Sequence, residues 1–524
     1  MAKRLVPIKP VYGLGAVSAA LILLLTLGTL AAVVTRAEGV SALRPADWAA
    51  LRFTLWQAFL SASLSVLLAV PVARALARRQ FFGRSALVTL LGAPFILPVI
   101  VAVLGLLAVF GRSGILSTML GWVGLPPVHI YGLHGVVLAH VFFNIPLATR
   151  LILQGWLAIP AERFRLAASL GFDNADIQRV LEWPMLRAVV PGIFMVIFLL
   201  CMTSFAVVLA LGGGPKATTL ELAIYQAFRF DFDLGKAALL AVIQFGLCAV
   251  VAVIAWRVAT PAGMGAGLDR TVERWDTSNP VLRAQDFTVL VFAKLFLLTP
   301  LVVIFLKGAG AVWTLPDVVW WSAFRSVLVA LGSAALAISL ALSLALLAVK
   351  LGQKRTAGFV EGFGYLTIAA SPLVVGTGLF IMIFPFARPS DLALPVTAIV
   401  NAAMSLPFAL RALSPALRDI ENDFGRLADS LGLSGWSRMR LLILPRMRRP
   451  LGFAAGLAAA LSMGDLGVIA LFADPESATL PLQMFRLMTA YRMGDAAGAA
   501  LVLLALSLCL FWVFDRGGRV DADT

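Results

Sequence analysis

Twelve apolar stretches of about 20 residues or more follow one another along this chain of 524 residues. A helix of that length crosses the hydrocarbon core of a bilayer, rising about 1.5 Å per residue. The stretches lie at about 11–34, 54–73, 87–110, 132–153, 189–211, 237–256, 287–306, 326–349, 359–385, 394–413, 450–472 and 496–514. Each is continuous rather than alternating, which predicts helices and excludes barrel strands. Pro94 and Pro98 in the third stretch and Pro372 in the ninth predict kinks. The chain is 61% hydrophobic and 13% charged, with a mean hydropathy of +0.95. A soluble chain carries about 25% charge. The expected fold is all-α: a polytopic membrane protein of about 12 transmembrane helices.

The net charge of +15 is a topology signal. With Lys3, Arg4 and Lys9 placed in the cytoplasm, most other basic residues also fall there. They include Arg74, Arg78, Arg79 and Arg84, then Arg163, Arg165, Arg179 and Arg187, then Lys350, Lys354, Arg355 and the cluster from Arg411 to Arg449. Nucleic-acid binding would require an exposed basic domain with aromatics, and the sequence has none. The run Val11–Val34 is too long for a signal-peptide core and reads as an uncleaved first span. Cys201, Cys248 and Cys509 all lie in apolar runs, so no disulfide is expected. His129, His134 and His140 have no metal-ligand spacing.

Residues 257–286 form the one long polar stretch in the middle, read as a cytoplasmic linker. It divides the chain into halves of six stretches, 1–256 and 287–524. A shift of 261 positions superimposes them locally. Pro146 falls on Pro407, Arg150 on Arg411, Arg165-Leu166-Ala167 on Arg426-Leu427-Ala428, Ser169-Leu170-Gly171 on Ser430-Leu431-Gly432, Pro184 on Pro445, Arg187 on Arg448 and Val207 on Val468. This is a parallel repeat, and it predicts two pseudo-symmetric halves around an axis along the membrane normal, with a pathway between them.

The repeat is clearest in two loops, 154–188 and 414–449, too long for plain connections. Each reads as helix, glycine turn, helix. Pro160–Leu170 ends at Gly171, and Asp173 or Asn174 caps the next helix toward Trp183 and Pro184. Ile420–Leu431 ends at Gly432, with Ser434 as the cap before Pro445. The pattern resembles the signature cytoplasmic loop of permeases in binding-protein-dependent ABC importers. That loop has Glu-Ala-Ala, a glycine, and Leu-Pro about a dozen residues on. Arg165 and Arg426 stand here in place of the Glu. The resemblance implies the type I importer permease fold and a coupling role for Arg165, Leu166, Ala167, Ser169, Leu170, Gly171 and Pro184, and for Arg426, Leu427, Ala428, Ser430, Leu431, Gly432 and Pro445.

Four further stretches, Tyr131–Gln154, Glu182–Arg187, Leu211–Phe228 and Ser462–Phe472, resemble the thiamine and thiamine-phosphate importer permeases, whose two halves are fused. The likeness extends over nearly the whole chain. It implies a bacterial inner-membrane location, thiamine as substrate, a periplasmic thiamine-binding protein outside and an ATPase dimer inside. The fused ferric-iron importer permeases share the two-loop plan and are the alternative.

Gly212-Gly213-Gly214-Pro215-Lys216-Ala217-Thr218 lacks phosphate-loop spacing, and its proline removes a backbone donor. The chain is therefore expected not to be an enzyme and to carry no cofactor, with ATP and Mg on the partner ATPase. Asp465 is expected inside the eleventh span, with Ser204 at the matching position of the fifth. A charge there costs about 2.5–3.5 kcal/mol. It is read either as a pathway carboxylate for a cationic substrate or as the partner of Lys294, His140 or Asn401. His140 and Asn401 add polarity to the fourth and tenth spans, as pathway residues or interhelical hydrogen-bonding groups. Glu221, Asp231 and Asp233 are placed in an outer loop. Ion-coupled transport would need more intramembrane acids, and a membrane enzyme would need a cluster of His, Asp or Ser; neither pattern is present.

Overall fold

Long apolar runs leave the backbone no polar partner but itself, and the chain answers with helices throughout. The computed structural model describes residues 9–39, 43–92, 96–258, 279–351, 360, 362–364, 367 and 370–518. Most of the linker, the opening of the ninth stretch, and Lys3, Arg4, Pro94, Lys354 and Arg355 lie outside the described residues. The first half contains α1 (Lys9–Leu23), α2 (Thr29–Arg36), α3 (Pro45–Arg78), α4 (Arg84–Leu90), α5 (Val99–Phe110), α6 (Ile115–Trp122) and α7 (Leu133–Leu157). It continues with α8 (Ala161–Ser169), α9 (Asn174–Ile177), α10 (Trp183–Met202), α11 (Ala206–Leu211), α12 (Leu220–Arg229) and α13 (Leu234–Val258). The second half has α14 (Pro280–Ala311), α15 (Asp317–Leu351), α16 (Pro372–Ile383), α17 (Ala393–Ser430), α18 (Gly435–Arg438), α19 (Leu444–Met463), α20 (Gly467–Phe472), α21 (Leu480–Thr489) and α22 (Met493–Gly517).

Among the described residues, 11 helices are long and apolar enough to cross a membrane, and Pro372–Ile383 is a shorter apolar helix. The third and ninth stretches depart from the sequence expectation for one reason. Pro98 and Pro372 start helices rather than kink them, because a proline without an N–H fits a helix start. The third span is therefore Val99–Trp122, not 87–110. In the ninth, the Ser371 hydroxyl accepts the Val374 N–H at 3.1 Å and α16 begins there.

The halves repeat in packing as well as in sequence. α3 packs on α7 and α10, and α15 packs on α17 and α19. The Thr54 hydroxyl accepts the Leu220 N–H at 2.9 Å, and the Ser326 hydroxyl accepts the Leu480 N–H at 2.8 Å. Each bond ties a short helix, α12 or α21, to the second span of its half. The first helices are exchanged between halves. α1 lies on α15 and α2 on α16, while α14 lies on α5 and α3. Arg78 at the end of α3 and Arg79 just beyond it clasp Asp286 of α14 at 3.0 and 2.6 Å, fixing one exchange with buried charge.

Candidate functional site

Each of the two repeated loops is built around one turn. The Leu170 N–H reaches the Leu166 carbonyl, the Gly171 N–H the Ala168 carbonyl at 3.1 Å, and the Phe172 N–H the Ala167 carbonyl at 3.0 Å. Leu431, Gly432 and Leu433 repeat these bonds to Leu427, Asp429 and Ala428. This is the helix stop in which a left-handed residue lets two amides cap the last carbonyls. Gly171 (φ 69°) and Gly432 (φ 67°) supply that residue. Ser169 and Ser430 bond back to the Leu166 and Leu427 carbonyls, both at 2.8 Å. Ala167 and Ala428 are buried, whereas Arg165, Arg426, Pro184 and Pro445 are exposed. The turns present Leu166 and Leu170, each 61% exposed, and Leu427 and Leu431, at 57% and 66%. Paired leucines this open on both turns form two apolar knobs in search of a partner.

Of the two caps offered for α9, Asp173 is the one that bonds, accepting the Asp176 N–H at 2.8 Å. The loops differ from expectation in three places. Ser434 sits at the next cap position but makes no side-chain capping bond. The second loop does not open with a separate helix, because α17 runs unbroken from the span to Ser430. Position 160 holds a helix-starting proline, whereas its repeat position holds Glu421, which continues a helix. Pro184 and Pro445 do not stop the helices they follow. A wide π-type turn, Gln178–Glu182 or Met439–Ile443, precedes each and makes room for the ring.

Each loop is held by its own ion pairs. Arg74 of α3 meets the buried Glu182 at 2.9 Å, beside a cavity of about 110 Å³ lined by Arg78, Trp156, Gln178 and Asp286. In the second loop Arg438 joins Glu421 and Asp429.

The fifth and eleventh spans are broken near their far ends, at Thr203–Phe205 and Gly464–Leu466, before α11 and α20. Asp465 therefore lies at a helix break, not inside a continuous span, and Ser204 occupies the matching break. A break frees backbone amides, and the Asp465 Oδ1 accepts one, from Gly467, at 3.2 Å. Of the partners expected for it, the Asn401 side chain is a hydrogen-bonding neighbour of this buried carboxyl. The breaks lie close together. A Cβ at Gly467 would be 3.7 Å from the Phe205 ring and 3.0 Å from Leu373, and one at Gly464 would be 3.1 Å from Pro98.

Lys294 stands 4.8 Å from the Phe81 ring, where its ammonium has a cation–π contact. His140 and Asn401, at matching repeat positions, are both buried and make helix-to-helix bonds. His140 Nδ1 lies 3.2 Å from the Ser61 hydroxyl, and Asn401 Nδ2 donates to Ser462 at 3.0 Å. Asn144 donates to Cys201, the repeat counterpart of Ser462.

Sequence reasoning missed Glu221. It is no outer-loop acid: it lies on α12 at 0% exposure. Burial pushes its carboxyl up to about 8. The clue was its company, since Leu220, Leu222, Ala223 and Ile224 are all buried apolar residues. Ser371 and Gln244 are its hydrogen-bonding neighbours. The Ser371 oxygen accepts the Val374 N–H, which leaves its O–H to donate, and Gln244 Nε2 donates to the Met202 carbonyl at 3.1 Å.

Residues 337–516 match the family described as binding-protein-dependent transport system inner membrane component. The thiamine transport system permease protein of Escherichia coli K12 is 40% identical over 489 residues, covering 91% of this chain and 90% of that protein. Its counterpart in Brucella abortus strain 2308 is 40% identical over 475 residues, 90% of this chain and 87% of its own. That of Haemophilus influenzae is 36% identical over 468 residues, 88% and 86% of the two chains.

Proposed function

The chain belongs to the thiamine transport system permeases, binding-protein-dependent components of the inner membrane, and we propose that it is the membrane pathway for thiamine and its phosphate esters. The observation that carries this is the 40% identity to a thiamine permease across about nine-tenths of both chains. The ferric-iron alternative finds no support among these relatives.

In this reading a periplasmic thiamine-binding protein delivers substrate outside and a separate ATPase dimer, holding ATP and Mg, drives the cycle inside. The N-terminus and both coupling loops are cytoplasmic, consistent with their basic residues. The Leu166/Leu170 and Leu427/Leu431 knobs seat in the ATPase subunits. Their exposure on two matching, rigidly capped turns supports this. Closure of the ATPase dimer brings the turns together. Because α10 and α19 continue from the loops to the breaks at Ser204 and Asp465, the movement reaches the centre between the halves. There the Asp465 carboxylate attracts the fixed positive charge of the thiazolium ring. His140 and Asn401 hold spans together behind this centre.

Reconstitution of the chain with its ATPase in vesicles, with thiamine-binding protein outside, tests the reading. ATP-dependent thiamine accumulation is expected. Uptake that continues without any ATPase, or no thiamine uptake by the complete system, refutes it.

A further inference from the structure

The polar cavity beside Arg74 and Glu182 is one-sided in the repeat. Arg74 corresponds to Leu346, and the 261-residue shift carries Trp156 onto Leu417, Gln178 onto Met439 and Glu182 onto Ile443. Leu346, Leu417 and Ile443 are buried in one apolar core, with Met439 packed against it. The same position is thus filled by aliphatic side chains in one half and holds about 110 Å³ of polar space in the other. Donors line that space. Trp156 is 1% exposed, and its indole N–H is buried with no acceptor among the described residues. An indole nitrogen can only donate, so the partner it lacks is an acceptor. Close by, the guanidinium groups of Arg74, Arg78 and Arg79 meet two carboxylates, Glu182 and Asp286, which leaves one positive charge over within this set. A water would answer the indole alone, whereas an anionic oxygen answers both the donor and the charge.

The cavity lies at the level of lipid headgroups. Its residues stand just beyond the ends of apolar stretches: Arg74 after 54–73, Trp156 after 132–153, Leu186 before 189–211 and Asp286 before 287–306. Gln178 and Gln285 in its wall are exposed, so it reaches the surface. Phe287, next to Asp286, is 69% exposed, and Trp183, 50% exposed, has the Arg187 guanidinium 5.1 Å from its ring. Open aromatic and arginine side chains of this kind mark a membrane–water interface. Basic pockets between membrane helices at such a level hold lipid phosphate. From this geometry we propose that the cavity is a phosphate subsite, filled by the headgroup phosphodiester of an anionic phospholipid. The single negative charge of a phosphodiester balances the one left over, and its oxygens accept from Trp156 and Arg74. The headgroup touches α3, the first loop and α14 of the other half together, so it fastens that loop to the exchanged helix.

Thermal unfolding of the purified complex with its ATPase, titrated with phosphatidylglycerol, phosphatidylcholine or inorganic phosphate, tests this. Phosphatidylglycerol is expected to raise the midpoint and the other two to leave it unmoved. Trp156→Phe keeps an aromatic ring and removes the donor. The phosphatidylglycerol concentration giving half the shift is expected to rise about tenfold in this variant, the size of one lost hydrogen bond to a charged group. Arg74→Leu with Glu182→Ile gives the first half the residues of the second and is expected to abolish the shift. No shift, an equal shift with phosphatidylcholine, or a shift unchanged in either variant overturns the proposal. An equal shift with inorganic phosphate assigns the cavity to the free ion and overturns the lipid. If the variants fail to assemble, the wild-type complex answers instead. Phosphatidylglycerol carrying a photoactivatable headgroup is expected to label residues 70–78, 178–186 and 285–289, read by mass spectrometry, and unlabelled phosphatidylglycerol but not phosphatidylcholine is expected to compete. Labelling spread evenly over the chain, or equal competition by the two lipids, overturns the site.

Discussion

Arg438 holds Glu421 in a two-pronged ion pair, Nε to Oε1 at 3.1 Å and Nη2 to Oε2 at 2.5 Å, across the turn of the second coupling loop. A third bond, Nη1 to Asp429 at 2.6 Å, reaches the last turn of α17. Charge-assisted, bidentate bonds are the strong ones, and those to charged groups contribute about 1.5–3 kcal/mol each. Glu421→Ala is therefore expected to loosen this loop by about 2 kcal/mol, with faster amide exchange over residues 425–445 and less thiamine moved per ATP. Wild-type exchange rates in that segment would refute the role. The first loop has no such lock, since Ile177 and Ala168 stand at the repeat positions of Arg438 and Asp429.

The first loop is tied to α3 instead, through Arg74 and Glu182. Shifts of 272 and 261 residues carry these two onto Leu346 and Ile443, which share one hydrophobic core. One half thus uses an ion pair where the other uses two aliphatic side chains. Removing one partner of a buried pair costs about 3–5 kcal/mol, while replacing both with apolar groups is often neutral. Arg74→Leu alone is expected to lower the melting temperature of the purified complex. Arg74→Leu with Glu182→Ile is expected to recover at least half of that loss. A double variant no better than the sum of the singles would contradict the swap.

Gly171 and Gly432 have open space where a Cβ would go, so any penalty for a side chain comes from the backbone alone. A left-handed conformation costs an ordinary L-residue about 1–2 kcal/mol, and Asn less. Alanine at either glycine is expected to weaken co-purification with the ATPase, and asparagine to weaken it less. Equal retention of wild type, Ala and Asn variants would show that the turn is not what the ATPase grips.

These turns were legible in the sequence because their signals are local. A glycine, a serine two residues before it and a proline 13 residues after it announce the motif twice, as Gly171 with Pro184 and Gly432 with Pro445. The spans were legible by length alone. The exchange of first helices was not, since the polar segment 257–286 reads the same whichever way the next helix packs. Nor was the break at Thr203–Phe205, which has neither glycine nor proline to announce it. Glu221 was misplaced because one acid among Leu220, Leu222 and Ile224 looks like a loop edge until Gln244 and Ser371 close around it. Polar burial is a tertiary fact, and linear patterning registers it only as an exception.

Asp465 gives the sharpest test of the centre. Its Oδ1 serves the backbone, accepting the Gly467 N–H at the start of α20, and the Asn401 side chain is a further hydrogen-bonding neighbour of the carboxyl. Cap and charge are separable roles. Asparagine keeps an acceptor for the amide and loses the charge. If the residue only caps α20, Asp465→Asn is expected to transport normally. If the carboxylate faces the cationic ring, the same variant assembles with the ATPase but takes up thiamine at least tenfold more slowly at low substrate, the loss of about 1.4 kcal/mol or more of attraction. Asp465→Ala removes both functions, so it is expected to lower thermal stability as well. Measuring initial uptake rates and melting temperatures for both variants separates charge from cap, and normal uptake by Asp465→Asn assigns the residue to the cap alone.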